Sequence, residues 1–213
     1  MKRTNRYESV LGRGYKIGVT MKRYYKISLS VLSIILVMSL ISCTGIKPTV
    51  FLHPEFNFSY VEQVAVVPFE NLSKDQGAAF RTTRFFITEL LSTEAFTVVE
   101  PGEVKRVVEK FGTTRTAELS KDQIIQMGKE LKVQAIFLGS VNESSIQRSG
   151  GSMNPIVTLV VSLVETETGA TIWSATNTET GKSSLGSIFG SSDKSMSEIT
   201  RKCVKKTIQT LVK

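Results

Sequence analysis

The chain has 213 residues, long enough for one domain with a real core, and a formal net charge of +8 that ordinarily points to nucleic acid or anionic lipid. Eight of the 27 Lys and Arg residues but only one of the 19 acids lie in residues 1–43, which leaves the rest of the chain nearly neutral. The basicity belongs to the leader, and no nucleic-acid partner is expected of the remainder.

Met21 to Cys43 reads MKRYYKISLSVLSIILVMSLISC. Lys22, Arg23 and Lys26 precede an apolar run from Ile27 to Ile41, and small Ser42 stands before Cys43. This is the layout of a secretory signal peptide. As a helix the apolar run would be about 22 Å long, short of the roughly 30 Å hydrocarbon core. Leu40-Ile41-Ser42-Cys43 resembles the bacterial lipoprotein box, which implies cleavage before Cys43 and acylation of its sulfur. Residues 1–42 are therefore read as a cleaved leader, with 1–20 either a mis-assigned start extension ahead of the second methionine or a genuine extended n-region. Thr44 stands where an aspartate would favour inner-membrane retention by the enterobacterial rule, so outer-membrane residence facing the periplasm is expected. Cys203 is then left without a partner, and no disulfide framework or Cys-rich zinc site is available.

Residues 43–60 include two prolines and no sustained period, and read as a lipidated tether; its His53 is the only histidine and is expected to be solvated. Residues 61–213 read as one α/β domain. Val61–Phe69 is β-branched and suits a buried strand. Asn71 to Gly77 is turn chemistry. Ala79, Phe80, Thr83, Phe86, Ile87, Leu90 and Leu91 recur at helical spacing over 78–92. Phe96–Val99 is a short strand, and Pro101 opens a helix carrying Val104, Val107, Val108 and Phe111. Ser120 and Gln123 form a capping box for a helix with Ile124, Ile125, Met127 and Leu131.

Ala135–Val141 is a further strand. The polar segment 142–154 reads as a loop before Ile156–Glu165, which a short Gly-containing connection joins to Ala170–Asn177 as a hairpin. Apolar residues of Ile156–Glu165 fall on both faces, as in a strand buried within a domain. Trp173 is expected to pack between sheet and helix. Thr180–Ser195 is Gly/Ser-rich and reads as a second loop. A last helix over 194–212 buries Met196, Ile199, Cys203 or Val204, Ile208 and Leu211, with Lys202, Lys205 and Lys206 toward solvent. The order β-α-β-α-α-β-β-β-α predicts a single mixed sheet covered by helices.

No catalytic constellation is visible. Histidine is absent after His53, so histidine triads and most zinc hydrolase sites are excluded. Gly181-Lys182-Ser183 lacks the earlier glycine that a phosphate-binding loop needs, since Thr176 stands there. No metal, cofactor or enzymatic activity is expected. The exposed polar segments supply the candidate contact residues: Gln147, Arg148 and Asn154 in the first, Lys182 and Phe189 in the second.

Val64-Ala65-Val66-Val67-Pro68-Phe69-Glu70-Asn71-Leu72-Ser73 resembles the opening strand of the curli-secretion (CsgG-like) lipoprotein family. Relatives of that family include the penicillin-binding-protein activator lipoproteins and the N-terminal domain of TolB. Phe96–Glu100, Ala135–Val141 and Thr168–Ser174 match later elements in the same order. The resemblance implies an outer-membrane-anchored domain that faces the periplasm, contacts a cell-envelope protein and often self-assembles into homo-oligomers. Pore-forming members insert β-hairpins through the membrane. Here 142–154 offers only Ile146 and Met153 as large apolar residues, and 180–195 only Leu185, Ile188 and Phe189, too few for membrane strands. A lipid-anchored interaction module is therefore expected. The alternatives are a secretion-channel subunit and an activator of a peptidoglycan synthase.

Overall fold

The computed structural model describes residues 28–30, 32–33, 47–112, 119–149, 152–181 and 194–212. The chain divides into Met1–Gly45 and Ile46–Lys213. In the first unit, residues 28–30 and 32–33 are helical. Among the described residues no helix is long and apolar enough to cross a membrane.

The second unit is built on a seven-stranded mixed sheet. Its strands are β1 (Thr49–Leu52), β2 (Gln63–Val66), β3 (Glu70–Asn71), β4 (Thr97–Val98), β5 (Ala135–Ser149), β6 (Ser152–Glu165) and β7 (Thr171–Thr180). They lie in the order β1-β7-β6-β5-β2-β4, with β3 beside β5. The β2–β4, β2–β5 and β3–β5 pairs are parallel, and β5–β6, β6–β7 and β1–β7 are antiparallel. Strands β2 and β3 follow one another along the same flank of β5. Pro68, which has no N–H to give, falls in the gap between them. Phe69 leaves the ladder there, its N–H donating to Thr83 Oγ1 at 2.9 Å.

Alternation along β2 shows why it is buried on both faces. Val64 and Val66 enter one apolar cluster, Ala65 and Val67 another. Helices α1 (Ala78–Leu91) and α4 (Met196–Ile208) cover the first face, α2 (Pro101–Lys110) and α3 (Lys121–Leu131) the second. The second pair leaves the β6–β7 part of its face half-exposed. Ser162 and Ser174 share a hydrogen bond there at 2.9 Å, and Thr158 and Thr178 another at 3.0 Å. Ile156 and Val160 are accordingly only half-buried, so the apolar content of β6 overstates its enclosure.

On α1 the buried residues are Ala78, Thr82, Phe86 and Leu90, a single row four residues apart. Phe80 and Leu91, expected inward, are exposed, and the Arg84 guanidinium lies 5.6 Å from the Phe80 ring centroid. The seven-residue periodic set is wider than the one row that meets the sheet. Both bonds of the Ser120–Gln123 capping box form. A second box, Ser195 with Glu198, starts α4. Cys203 and Val204 are both buried, α4 presenting two adjacent rows to β6 and β7.

Two differences from the sequence reading matter for function. The segment read as a tether contributes β1, an edge strand against β7 with Thr49 opposite Thr176 and Leu52 opposite Trp173. All four of its residues are exposed, so no buried face imposed a period on the sequence. Residues 142–149 and 152–154 are not a loop. Past a bulge between Val141 and Glu143, β5 and β6 stay paired from Glu143↔Thr158 to Ser149↔Ser152. A polar composition does not end a strand when a partner strand satisfies its backbone.

Trp173 is fully buried within the first cluster, 6.2 Å from the Phe137 ring. Trp173→Ala should cost about 3–5 kcal/mol, read as a lower urea midpoint, as expected for a large core side chain. Gly128 of α3 is pressed against the β6–β7 turn. A Cβ there would stand 2.3 Å from Thr166 Cβ, and Thr166 Oγ1 is pinned by donation to the Val133 carbonyl at 2.6 Å. Gly128→Ala should therefore destabilise by about 1–3 kcal/mol despite the roughly 1 kcal/mol that alanine gains in an open helix, and thermal melting checks the sign.

Candidate docking surface

Chemistry narrows the site first. Among the described residues no three His, Cys, Asp or Glu side chains gather as metal ligands. The Cys203 thiol is buried, and desolvation with the nearby Glu179 charge pushes its pKa up to about 12. It is a packing group, not a nucleophile. His53, expected to be solvated, is half-buried; its backbone N–H donates to Ile172 at 2.9 Å and its Nδ1 is enclosed without a partner.

Three acidic side chains fasten separate elements of the domain together. Asp75 accepts from Arg81, from Ser144 Oγ at 2.9 Å and from the Gly77 N–H at 3.1 Å, tying the β3–α1 loop to β5. Burial works against its charge, but these donors hold the carboxyl below the usual aspartate range. Glu179 on β7 is buried and accepts from Lys206 and, at 2.8 Å, from Lys202, so the two lysines, open to solvent as expected, also join α4 to β7. Glu165 ends β6. It accepts from the Glu167 and Thr168 N–H groups at 3.0 and 2.8 Å, from the Thr168 hydroxyl and from Tyr60.

Tyr60 closes a 3-10 turn, Phe58–Tyr60, which the Asn57 side chain caps. Burial and the Glu165 charge push its phenol up to about 12. Phe56 packs on Phe58 and Tyr60 with centroids 4.9 and 5.2 Å away. This fastened turn forms one wall of an open groove of about 680 Å³ at the end of the sheet where β2 and β4 begin. Phe58, Val61, Phe96 and Leu211 supply apolar walls and Glu62 and Glu94 the charge; among the described residues no Lys or Arg lines it. Strand β4 borders the groove as an edge. Thr97 and Val99 donate to Glu62 and Val64 on its inner side, and among the described residues no strand lies on its outer side.

The residues singled out in sequence do not converge here. Gln147 and Arg148 are exposed on β5, and Asn154 is buried on β6 opposite Gln147. Cys43, Lys182 and Phe189 lie outside the described residues. The groove itself left no motif in the sequence, because its walls come from three separate segments; Glu94, held at φ 55°, is the one local oddity.

Glu165 gives the wall a pH dependence. Burial opposes its charge, but the donors from Thr168, Glu167 and Tyr60 prevail and hold the carboxyl below the usual glutamate range. The folded state thus binds the proton less readily than the unfolded chain. Its stabilisation is complete above the ordinary carboxylate range and is lost as pH falls through the folded value. Asp75 acts with the same sign. Between pH 6 and pH 3 the urea midpoint of the wild type should fall more than that of Glu165→Gln.

Comparison with curated proteins finds no match. Among solved structures, the PelC dodecamer of Paraburkholderia phytofirmans superposes with a TM-score of 0.52 at 16% identity, covering 76% of this chain and 96% of that one. A PelC variant from the same organism gives 0.53 at 16%, covering 78% and 99%. The C-terminal domain of LpoB from Escherichia coli gives 0.42 at 15%, covering 67% and 91%. PelC thus shares the fold. A family model described as peptidoglycan-synthase activator LpoB matches residues 57–178, more than half of the sequence, and the chain belongs to that family.

Proposed function

We propose that this protein is a lipoprotein, acylated at Cys43 and facing the periplasm from the outer membrane, that activates a peptidoglycan synthase by direct contact and without catalysis of its own. The observation that carries the reading is the family match over 57–178. That span contains the Phe58–Glu62 and Glu94–Thr97 segments, two of the groove's three walls. The groove suits an extended synthase segment with apolar side chains and Lys or Arg. Apolar walls would take the former and Glu62 and Glu94 the latter, while the free β4 edge offers backbone pairing.

A second reading is self-assembly. Its support is that β1 and β4 leave an open edge on either side of the sheet, and that PelC, of the same fold, is a dodecamer. Sedimentation of the lipidated protein in detergent separates a ring from a monomer.

The direct test uses the lipidated full chain with the peptidoglycan synthase of the same organism, reading glycan polymerisation on lipid-linked substrate. Stimulation is expected. The charge reversal Glu62→Lys should weaken synthase binding about ten-fold, or 1.4 kcal/mol, at unchanged melting temperature. Unaltered stimulation by that variant would remove the groove from the reading. Absence of stimulation by the wild type would remove the function. Cys43→Ala should abolish labelling by a palmitate analogue, and labelling that persists would move the anchor elsewhere.

A further inference from the structure

The sheet register fixes which end of the domain the anchor leaves from. Strand β7 runs from the turn after Glu165 outward to Thr180, which lies opposite Ile156. Strand β1 runs the other way, with Thr49 opposite Thr176, and Thr176 is opposite Val160 on β6. The chain preceding Thr49 therefore departs toward the end at which β5 and β6 extend as a hairpin. The groove lies at the other end, where β2, β4 and β5 begin.

Two lengths can be compared from the level of Thr49. Eight residue steps separate Val160 from Ser152, so the paired hairpin rises about 26 Å beyond that level at 3.3 Å per step. Six steps separate Thr49 from Cys43, and an extended chain covers at most about 20 Å in six steps. A leash that turns back reaches less far still. A bilayer lying across the strand axis beyond the hairpin is thus out of reach of a lipid on Cys43, and a bilayer within reach on that side meets the end of the hairpin.

The side chains there suit such a contact. Ile146 is opposite Pro155, and Arg148 is opposite Met153. Alternation puts all four on one face of the ribbon. Ile146 is 55% exposed and Met153 44%, and Arg148 is exposed beside them. Two apolar side chains flanking a guanidinium match the interface of a phospholipid bilayer, where apolar groups enter the acyl boundary and the cation meets phosphate. Polar residues fill the rest of 142–154, so the ribbon rests at the interface and does not span.

We propose that the Ile146–Arg148–Met153 face of the β5–β6 hairpin is a membrane-docking surface, seated on the leaflet that holds the Cys43 acyl chains. The inference rests on the Cys43 anchor of the proposed function, and its test keeps the two apart.

Lipidated full-length Met153→Cys is labelled with a nitrobenzoxadiazole maleimide and reconstituted in phosphatidylethanolamine–phosphatidylglycerol vesicles. Cys203 is buried and does not compete for the label. A second protein carries the label at Ser59→Cys on the opposite end. Nitroxide-bearing lipid should quench the position-153 label at least two-fold and leave the position-59 label unchanged. Aqueous iodide should show the reverse order. A position-153 label open to iodide and untouched by nitroxide lipid, on vesicle-bound protein whose mass shows acylated Cys43, overturns the docking surface and leaves the anchor standing. A label shielded from both quenchers also overturns it, since protein then covers the hairpin. An unmodified Cys43 mass removes the anchor and the inference with it.

Discussion

The fold depends on the burial of one side chain, Phe137, in the middle of β5. Phe86 of α1 packs on it edge-on at 5.2 Å, and Phe96 and Trp173 meet it at 6.2 Å. Each such pair contributes about 0.5–1.5 kcal/mol beyond the area it removes from water. Across the sheet Phe137 lies beside Val66 and opposite Leu163, Leu163 opposite Trp173, and Trp173 opposite Leu52. This one row fixes the register of five strands. A slip of one residue in β5 would turn Phe137 to the other face and bring Ile136 or Leu138 against α1, so register and core composition constrain each other.

Around that row, three carboxylates fasten elements far apart in sequence. Asp75 joins the β3–α1 loop to β5, Glu165 joins the N-terminal 3-10 turn to the end of β6, and Glu179 holds α4 through two lysines one turn apart. Buried ion pairs add little net stability, because the cost of desolvating the charges offsets their attraction. Removing one partner is costly all the same, since it leaves a charge unanswered. Their contribution here is to placement. The Glu165–Tyr60 contact sets where Phe58 stands, and so the shape of the groove.

Much of this architecture was legible because local chemistry and burial agree. Strand β2 reads as buried on both faces and is; Ser120 with Gln123 caps a helix and does; the connection after Glu165 forms the β6–β7 hairpin. The misreadings share one cause, which is that the partner deciding the conformation lies far away in sequence. Strand β1 is extended because β7 offers it an edge, and its own exposed residues carry no period. The outer parts of β5 and β6 persist because each satisfies the other's backbone, although Asn142 to Asn154 is as polar as a loop. Lys202 and Lys206 stay toward solvent as read, but their pairing with Glu179, more than 20 residues earlier, left no local sign. The groove was invisible for the same reason: Phe58, Glu62, Phe96 and Leu211 share no motif, only the end of a sheet.

The hairpin that escaped the sequence reading gives the molecule a built-in length. Strand β5 is 15 residues long and unbroken apart from its bulge, so its start near the groove lies about 45 Å from its outer end. A flexible tether of similar reach would let the groove sample many heights above the anchor and would dilute it over that volume. The proposed Cys43 anchor, six residues before Thr49, would do the opposite. In the docking proposed above, the groove opens at the end of β5 opposite the membrane-facing hairpin. In that arrangement a partner segment that docks in the groove meets it at the far end of β5, and one seated closer to the hairpin meets the half-exposed Ser/Thr face of β6 and β7. Under this proposal strand length, more than any single residue, sets which part of a partner the domain reaches.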